Sequence, residues 1–254
     1  MILPLELDNI SFEAGGARLI KDITCRFESG PRTVIIGPNG AGKSLFLRLC
    51  HGLIQPSQGK VSWHGGAAAE AGRYQAMVFQ RPVMLRRSVA ANVDYALKLQ
   101  HIPRRERAET IDQVLHQTGL RRLADQPARV LSIGEQQKLA LARAWALKPQ
   151  VLFLDEPTAS LDPAASHGVE EIIDAIHAAG TRIIMTTHDL GQARRLADEV
   201  IFINRGRVLE KAPAEPFFAA PENDLAQAFL RGELLWWSRG RDNRKGEQSE
   251  NGEA

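Results

Sequence analysis

Apolar and polar positions along the chain follow more than one pattern. Residues 3–12 alternate between apolar and polar side chains and predict a strand. Residues 20–27 predict a second strand, joined to the first by a turn at Gly15-Gly16. Shorter apolar stretches at residues 59–63 and 77–80 predict two more strands, the second of which ends in an amide side chain. These elements predict a β-rich amino-terminal part of the chain.

Continuous apolar runs indicate strands that are buried on both faces, as in a parallel sheet. Such runs occupy residues 33–36, 151–154 and 182–187. Between the last two runs, apolar residues recur at helical spacing and predict a strand-helix-strand unit. They are Val169, Ile172, Ile173 and Ile176. Residues 200–204 and 207–210 predict a closing hairpin, so the pattern as a whole predicts an α/β fold around a parallel sheet.

Helical periodicity without strands begins near residue 88. We therefore expect a helical subdomain at about residues 86–148, inserted into the core of one domain that spans residues 1–237. Residues 238–254 are polar without apolar periodicity and are expected to form a disordered tail. The apolar faces of the two predicted helices consist of Val89, Val93 and Leu97 in the first and Ile111, Leu115 and Leu120 in the second.

The composition is typical of a globular protein. Of 254 residues, 44% are hydrophobic and 24% are charged, and the formal net charge of +2 gives no bias toward nucleic acid or a membrane surface. Cys25 and Cys50 are too few for a disulfide framework, and we expect them to be small buried residues in a reducing cytosol. No export signal or apolar run near the ~20 residues that span a bilayer is present, so a membrane role requires a partner.

A glycine-rich turn joins the run at 33–36 to a predicted helix and carries the strongest chemical signal in the sequence. It consists of Gly37, Pro38, Asn39, Gly40, Ala41, Gly42, Lys43 and Ser44. Small residues let backbone N–H groups converge on an anion, and the helix N-terminus adds partial positive charge. Lys43 would reach the β- and γ-phosphates of a nucleotide, and the Ser44 hydroxyl would coordinate Mg²⁺. A glycine-rich surface turn is the alternative, which the spacing and the Lys-Ser pair disfavour.

Polar side chains follow three predicted strands, at the edge where ligands bind in an open α/β sheet. Asp155 would hold the metal, and Glu156 would polarise the attacking water. Gln80 would touch Mg²⁺ or water through its amide oxygen, and the His188 imidazole would meet the γ-phosphate. Taken alone, an Asp-Glu pair can also begin a helix or lie in a solvated turn, and a lone Gln or His is usually structural.

Ser132 and Glu135 precede a run of good helix formers and have the spacing of a capping box. An ordinary helix start is one interpretation of this segment. A second helix N-terminus that is available to phosphate is the other.

Together these motifs resemble those of the ATP-binding cassette (ABC) transporter ATPases. The resemblance implies a P-loop NTPase core with an amino-terminal antiparallel β-subdomain and an inserted helical subdomain. It implies that ATP and Mg²⁺ are bound, with Lys43, Glu156 and His188 catalytic and with Ser44, Gln80 and Asp155 at the metal. It rests on residues 37–44, Gln80, residues 131–137, residues 151–156, residues 160–162 and His188, and it extends to about residue 210.

In that family, two copies of the cassette sandwich two ATP molecules. The resemblance therefore implies a head-to-tail homodimer, in which Ser132 and Gly134 of one copy close over the nucleotide that the other copy holds. Asp162 would communicate across this dimer.

The chain departs from the family pattern at four positions, one of which, Glu135 in place of a usual Gln, is a common variant. Ile133 replaces a usual Gly in the signature segment, and a β-branched residue there is expected to keep a negative φ. Leu45, among the nucleotide-binding residues, replaces a usual Thr and loses a hydroxyl contact to phosphate. Ala14 stands where an aromatic residue normally stacks on adenine. Phe12 can substitute from the same strand face, or it can belong to the core.

We therefore expect an ATP-hydrolysing subunit that energises transport through a separate membrane permease, bound peripherally to the cytoplasmic face of the inner membrane. Residues 81–85, beside Gln80, would offer apolar and adaptable side chains to a permease helix. Residues 79–97 resemble importers of oxyanions such as tungstate, which would work with a solute-binding protein.

Three other functions are compatible with part of this pattern. A cassette ATPase of soluble function and a degenerate cassette that binds nucleotide without turnover share the motifs. A P-loop kinase or GTPase-like switch would leave Ser132, Gly134 and His188 unexplained. No nucleic-acid partner is expected, because acidic residues interrupt the basic segments.

Overall fold

Two β-sheets form the framework in a computed structural model that describes residues 1–233. The first sheet is antiparallel with the order β2-β1-β4, and the second has the order β5-β6-β7-β3-β8-β9 and is parallel except for β9. The strands are β1 (Leu5–Ala14), β2 (Ala17–Phe27), β3 (Thr33–Ile36), β4 (Gln58–Trp63), β5 (Gln75–Val78), β6 (Val151–Asp155), β7 (Arg182–Thr186), β8 (Glu199–Asn204) and β9 (Arg207–Pro213).

The helices lie between and after these strands. They are α1 (Lys43–His51), α2 (Val89–Leu99), α3 (Arg104–Gln117), α4 (Ile133–Ala146), α5 (Pro163–Ala178), α6 (Leu190–Leu196), α7 (Ala214–Ala219) and α8 (Asp224–Leu230). Short 3₁₀ segments occupy Ala68–Arg73, Arg121–Leu123 and Ala128–Val130.

The six-stranded sheet has a hydrophobic cluster on each face. Val34 and Ile36 of β3 belong to the cluster shared with the helices, whereas Ile35 between them belongs to the cluster shared with α1 and the small sheet. This is the alternation that a strand imposes on successive side chains. All four residues of β3 are buried, so the strand that leads into the glycine-rich turn is covered on both faces.

Helices α2, α3 and α4 contact one another and occupy much of the segment predicted as a helical subdomain. Their buried residues do not form a separate core. Val93 of α2, Leu115 of α3 and Leu141 of α4 belong to the same cluster as Ile173 of α5 and Leu154 of the central sheet. The three helices are therefore joined to the sheet by continuous apolar packing.

The predicted fold class is confirmed, and most predicted strands lie where the alternation placed them. The main error is at β5, which ends at Val78 rather than at Gln80, because the chain leaves the sheet there and Phe79 and Gln80 become exposed. Helices α6, α7 and α8 were not predicted. The expected tail, residues 238–254, lies outside the described residues.

Both cysteines are free and buried, as the sequence predicted. Burial raises the pKa of the Cys25 thiol to about 11, so this side chain behaves as a small apolar residue. Within residues 1–233, no helix combines the length and the apolar character that crossing a bilayer requires.

Candidate active site

The glycine-rich turn has a backbone that only glycine can adopt at its first position. Gly37 has φ 151°, and a Cβ atom built there would lie 2.0 Å from the carbonyl oxygen of Ile203. Gly42 precedes α1 with φ 101°, which favours glycine for the same conformational reason. The backbone N–H groups of residues 43–45 fall in the first turn of α1 and have no carbonyl one turn earlier in the helix. They form a site for an anion.

Lys43 is buried beside this turn. Its Nζ donates hydrogen bonds to the carbonyl oxygens of Gly37 at 3.0 Å and Pro38 at 3.3 Å. Burial lowers the pKa of Lys43, and the carboxylates of Glu156 and Asp155 oppose that change. The ammonium is therefore held between the turn and an acidic pair, where a phosphate would gain a strong partner.

Asp155 ends β6 and is almost completely buried. Its Oδ1 accepts hydrogen bonds from the Ser44 hydroxyl at 2.7 Å and from the Thr186 hydroxyl at 2.9 Å. A serine hydroxyl beside a carboxylate is the kind of hard oxygen pair that Mg²⁺ prefers. Residues 1–233 contain no group of three or more His, Cys, Asp and Glu residues that could hold a metal by themselves. The residues present therefore fit a Mg²⁺ ion that takes its other ligands from water and phosphate.

Glu156 follows with φ 46°, which is uncommon for a residue other than glycine. Its backbone N–H donates to the Thr186 hydroxyl at 3.0 Å, which stabilises this turn. One carboxylate oxygen lies 3.0 Å from His188 Nδ1, and the other lies 3.7 Å from Lys43 Nζ. The carboxylate is 15% exposed, so water can reach it. An unusual backbone conformation at such a position is typical of functional sites.

Not all of the predicted site residues meet in this cluster. Gln80 lies beyond the end of β5, is exposed, and makes no hydrogen bond within the described part of the chain. Ser132 is the N-cap of α4, and Asp162 is the N-cap of α5, where its carboxylate accepts from the Ala165 N–H at 2.9 Å. Within residues 1–233, the side-chain hydrogen bonds of both N-caps stay in the first turn of their own helices. The structure thus brings Lys43, Ser44, Asp155, Glu156 and His188 together, and it leaves Gln80, Ser132, Gly134 and Asp162 outside their contacts.

The start of α4 contains the capping box that the sequence suggested. The Ser132 hydroxyl and backbone N–H both donate to the Glu135 carboxylate, at 2.7 Å and 2.8 Å. These hydrogen bonds lower the pKa of Glu135, so its carboxylate is ionised at the helix N-terminus. Ile133 begins the helix without a positive φ, as predicted, and its side chain is 62% exposed.

Neither Ala14 nor Phe12 presents a fully exposed aromatic ring at the first hairpin. Ala14 is exposed at the end of β1 and offers only a methyl group. Phe12 is half-buried and packs against the cluster below the small sheet. Leu45 packs partly against the same cluster, so its side chain takes part in folding rather than in phosphate contact.

Two features of the site were missed in the sequence. Thr186 ties Asp155 to the Glu156 turn through its hydroxyl, and a polar residue at the end of an otherwise apolar strand was the available signal. The second feature is a polar network behind the site. In it, Gln192 donates to the Thr158 hydroxyl at 2.8 Å and to the buried Glu170 at 3.1 Å, and Arg195 donates twice to Glu170 at 2.8 Å.

Replacing Thr186 by valine should destabilise the protein without creating a cavity, because the two side chains have similar volumes. The buried Asp155 would lose one donor, and the Glu156 N–H would keep only the Thr186 carbonyl oxygen, at 3.2 Å. We expect the free energy of unfolding to fall by about 1–3 kcal/mol. Urea denaturation of Thr186→Val checks this. Thr110→Val is the matched control, since the Thr110 hydroxyl makes an exposed hydrogen bond to the Glu106 carbonyl oxygen of its own helix. A loss no larger than that of the control contradicts the assigned role.

Known proteins are similar to this chain in both sequence and fold. Residues 20–159 match the family model described as ABC transporter, which is more than half of the chain. The chain belongs to the ATP-binding subunits of the ABC transporter family. Family members of this kind hydrolyse ATP, and the chain is an ATPase.

Several curated ABC relatives match over most of their length. The tungstate uptake system ATP-binding protein of Peptoclostridium acidaminophilum is 39% identical over 217 residues, covering 85% of this chain and 100% of that protein. A phosphate import ATP-binding protein of Natronomonas pharaonis is 34% identical, covering 91% and 88%. A glutamine transport ATP-binding protein of Geobacillus stearothermophilus is 35% identical, covering 85% and 93%.

Solved ABC structures agree with this membership. A structure described as an ATP-binding subunit of an ABC transporter superposes with a TM-score of 0.77 at 25% identity, covering 90% of this chain and 99% of that one. The cbiO1 subunit from Clostridium perfringens, described as part of the transporter complex cbiONQ, gives a TM-score of 0.76 at 28% identity, covering 89% and 94%.

Proposed function

We propose that this ABC ATPase hydrolyses Mg-ATP between two copies of itself and energises import through a separate membrane permease. The observation that carries the hydrolytic part is the cluster formed by Lys43, Ser44, Asp155, Glu156 and His188 at one edge of the six-stranded sheet. Each residue contributes a group that phosphoryl transfer to water needs, namely a cation, oxygen ligands for a metal, a base and a partner for that base.

The glycine-rich turn, residues 37–44, would hold the nucleotide. Backbone N–H groups of residues 43–45 would donate to phosphate oxygens, and Lys43 would exchange its contacts with Gly37 and Pro38 for the β- and γ-phosphates. Leu45 would take part through its backbone alone, because its side chain packs toward the core. Neutralising phosphate charge in this partly buried place lowers the barrier to transfer.

Mg²⁺, when bound, would supply positive charge that neutralises the phosphates. Ser44 and Asp155 would hold it, since their oxygens already lie 2.7 Å apart. Gln80 would approach this position from the carboxyl end of β5, beside β6. Because Gln80 has no fixed partner among residues 1–233, its amide is free to move toward the site.

Glu156 would act as the base that polarises the attacking water. Its carboxylate lies between Lys43 and His188, which are 3.7 Å and 3.0 Å away, so the oxygens have fixed directions. His188 is more than half exposed and would contact the γ-phosphate from the outer side. Thr186 would position the base through the backbone of Glu156.

The second copy would bring in the groups that the single chain leaves apart. Ser132 and Gly134 at the exposed start of α4 would close over the nucleotide of the partner, and Asp162 would lie near the same interface. To donate to a phosphate, the Ser132 hydroxyl must leave the Glu135 carboxylate that it now contacts at 2.7 Å. The start of α4 would thus have two states, one with Ser132 bonded to Glu135 and one with Ser132 bonded to a phosphate of the partner's nucleotide.

An exposed apolar segment beside Gln80 supports a permease partner. Phe79 is 40% exposed and Val83 is 75% exposed. The segment is also anchored, because Arg143 of α4 donates to the Val83 carbonyl at 2.9 Å and Asn92 of α2 pairs with the Leu85 backbone. Met84 is buried in the core, so the expectation that it contacts a permease helix is wrong.

Replacing Val83 by aspartate should weaken the permease complex. A charge in an apolar contact must be desolvated on binding, so we expect at least a tenfold loss of affinity for permease-containing membranes. Co-sedimentation of the purified variant with such membranes measures this loss. Leu53→Asp is the control, since Leu53 is an exposed apolar residue, at 50% exposure, that follows α1. Equal binding of both variants would remove residues 79–85 from the proposed interface.

The proposal for the transported solute rests on similarity to ATP-binding subunits of known import systems. We propose import of an oxyanion such as tungstate, because the tungstate uptake ATP-binding protein is matched over its full length at 39% identity. Such a system would include a solute-binding protein and would place this subunit at the cytoplasmic face of the inner membrane. ATPase activity of the reconstituted system should then rise with tungstate-loaded binding protein. Stimulation by phosphate alone, or by neither anion, would contradict tungstate import.

A cassette ATPase without a transport role is the alternative, and a degenerate cassette without turnover is a second one. Release of phosphate from ATP by the purified chain would exclude a degenerate cassette without turnover. Recovery of permease subunits with the affinity-tagged chain would exclude a cassette ATPase without a transport role. The exposed and anchored segment at residues 79–85 favours transport over both.

A further inference from the structure

A second cleft, of about 670 Å³, lies at the amino end of the six-stranded sheet. Gln150 and Arg182 form part of its wall, at the starts of β6 and β7, and Leu3 and Pro31 form another part. The glycine-rich turn follows the carboxyl end of β3, so this cleft is at the opposite end of the strands. A volume of this size is typical of sites for small organic molecules.

Arg182 is the unusual residue of this cleft. Its side chain is only 2% exposed. Nη2 donates to the Thr33 hydroxyl at 2.6 Å, whereas Nε and Nη1 have no hydrogen-bond partner within residues 1–233. Burial lowers the pKa of Arg182 to about 10. A buried guanidinium with unused donors is costly, because each unsatisfied group retains its desolvation penalty.

The carboxylate closest to Arg182 does not satisfy it. Glu199 Oε1 lies 3.8 Å from Nη2, too far for a hydrogen bond, and it already accepts from the Thr33 hydroxyl at 2.7 Å. Its other oxygen lies 3.3 Å from Lys211 Nζ. The neighbouring Asp198 is engaged by Arg32. The acidic groups around Arg182 are therefore shared with other cations.

The residues that line the cleft are polar or basic on one part of its wall and apolar on another. No Asp or Glu among residues 1–233 lines it, and its polar groups include Arg182, His177 and Thr181. His177 Nδ1 lies 3.1 Å from the Thr181 carbonyl oxygen, so the ring is oriented within the wall. Leu3 and Pro31 add apolar surface. Such a lining suits a ligand with one anionic end and one apolar end.

We propose that this cleft binds a small organic carboxylate, with the carboxylate group at Arg182 and the apolar body against Leu3 and Pro31. A planar carboxylate matches the planar donors of a guanidinium better than a water molecule does. The site is separate from nucleotide binding and does not depend on the transport role of the chain.

Titration with benzoate, followed by saturation-transfer NMR and calorimetry, tests the proposal. Arg182→Met should weaken benzoate binding at least tenfold, because the charge-assisted hydrogen bonds are lost. Within residues 1–233, Arg182 has no hydrogen-bonded carboxylate, and the nearby Glu199 keeps its contacts with Thr33 and Lys211. Methionine therefore leaves no carboxylate unpaired, and urea denaturation of Arg182→Met checks that the fold is retained. Arg73→Met, which changes an exposed arginine paired only with Glu70, should leave benzoate binding unchanged.

Two further measurements keep the proposal falsifiable. In the unsubstituted protein, the ¹⁵Nε–H signal of Arg182 should shift on addition of benzoate and should not shift with benzyl alcohol, which has the same ring without the charge. Lys43→Met should bind benzoate as the unsubstituted protein does. Absence of a benzoate response at Arg182, an equal response to benzyl alcohol, or loss of binding in Lys43→Met would each overturn the proposal.

Discussion

Glu156→Gln should bind ATP normally, hydrolyse it at least about 10²-fold more slowly, and accumulate as an ATP-bound dimer. Glutamine keeps the shape of the side chain but cannot accept the proton of the attacking water, and a positioned base contributes about 10²–10⁴-fold to such reactions. Phosphate release measures the rate, and size-exclusion chromatography with light scattering measures the mass with and without ATP. The dimer should persist because the event that opens it, loss of the γ-phosphate, is blocked.

A surface carboxylate provides the matched control for this variant. Glu171 on α5 is largely exposed, and its one ion pair within the described residues is with His167, at 3.6 Å. Glu171→Gln should therefore hydrolyse ATP at the parental rate and show no ATP-dependent change in mass. If Glu156→Gln retains the parental rate, Glu156 is not the base. If the rate falls but the protein stays monomeric with ATP, the proposed assembly of two copies is wrong and the assignment of the base stands.

Lys43→Met should lose ATP affinity by about 10²-fold while remaining folded. The ammonium is buried and would be the closest cation to the phosphates, and truncating a buried charge partner typically costs about 2–5 kcal/mol of binding free energy. The fold gains nothing comparable from this group, because burial lowers its pKa and it contacts only two carbonyl oxygens and, at 3.7 Å, one carboxylate. Methionine fills nearly the same volume.

Fluorescence titration with a labelled ATP analogue measures the affinity, and urea denaturation measures stability. Lys98→Met, on the exposed face of α2, is the control and should change neither quantity. Unfolding of Lys43→Met would show that the ammonium holds the turn together. Unchanged affinity in a folded variant would show that the turn does not bind the triphosphate.

The parts of the site that the sequence predicted are those set by local geometry. A buried strand, a glycine-rich turn and a helix start define the positions of Lys43 and Ser44 from neighbouring residues alone. Asp155 and His188 follow because the carboxyl ends of adjacent parallel strands meet at one edge. The register of β6 and β7 then places Asp155 opposite Thr186, a pairing that no local pattern contains.

The parts that were missed depend on contacts between distant segments. The Thr158–Gln192–Glu170–Arg195 network joins three elements, and each of these residues alone resembles an ordinary helix or turn residue. Gln80 was placed on a strand because the apolar run continues through Phe79, yet Phe79 is exposed outside the sheet. A short apolar run does not distinguish a sheet position from an exposed contact. Helices α6–α8 are short and lack strong periodicity, so packing rather than pattern defines them.

The continuous apolar packing between helices α2–α4 and the sheet limits the movements that these helices can make relative to the sheet. Swinging these helices away as an independent lever would expose buried surface at about 25 cal/mol for each Å². A force applied at Val83 reaches α4 through Arg143 and α2 through the Asn92 amide, so both helices receive it together. In the proposed transport role, sliding of these helices along the sheet would therefore expose less apolar surface than a hinge opening would.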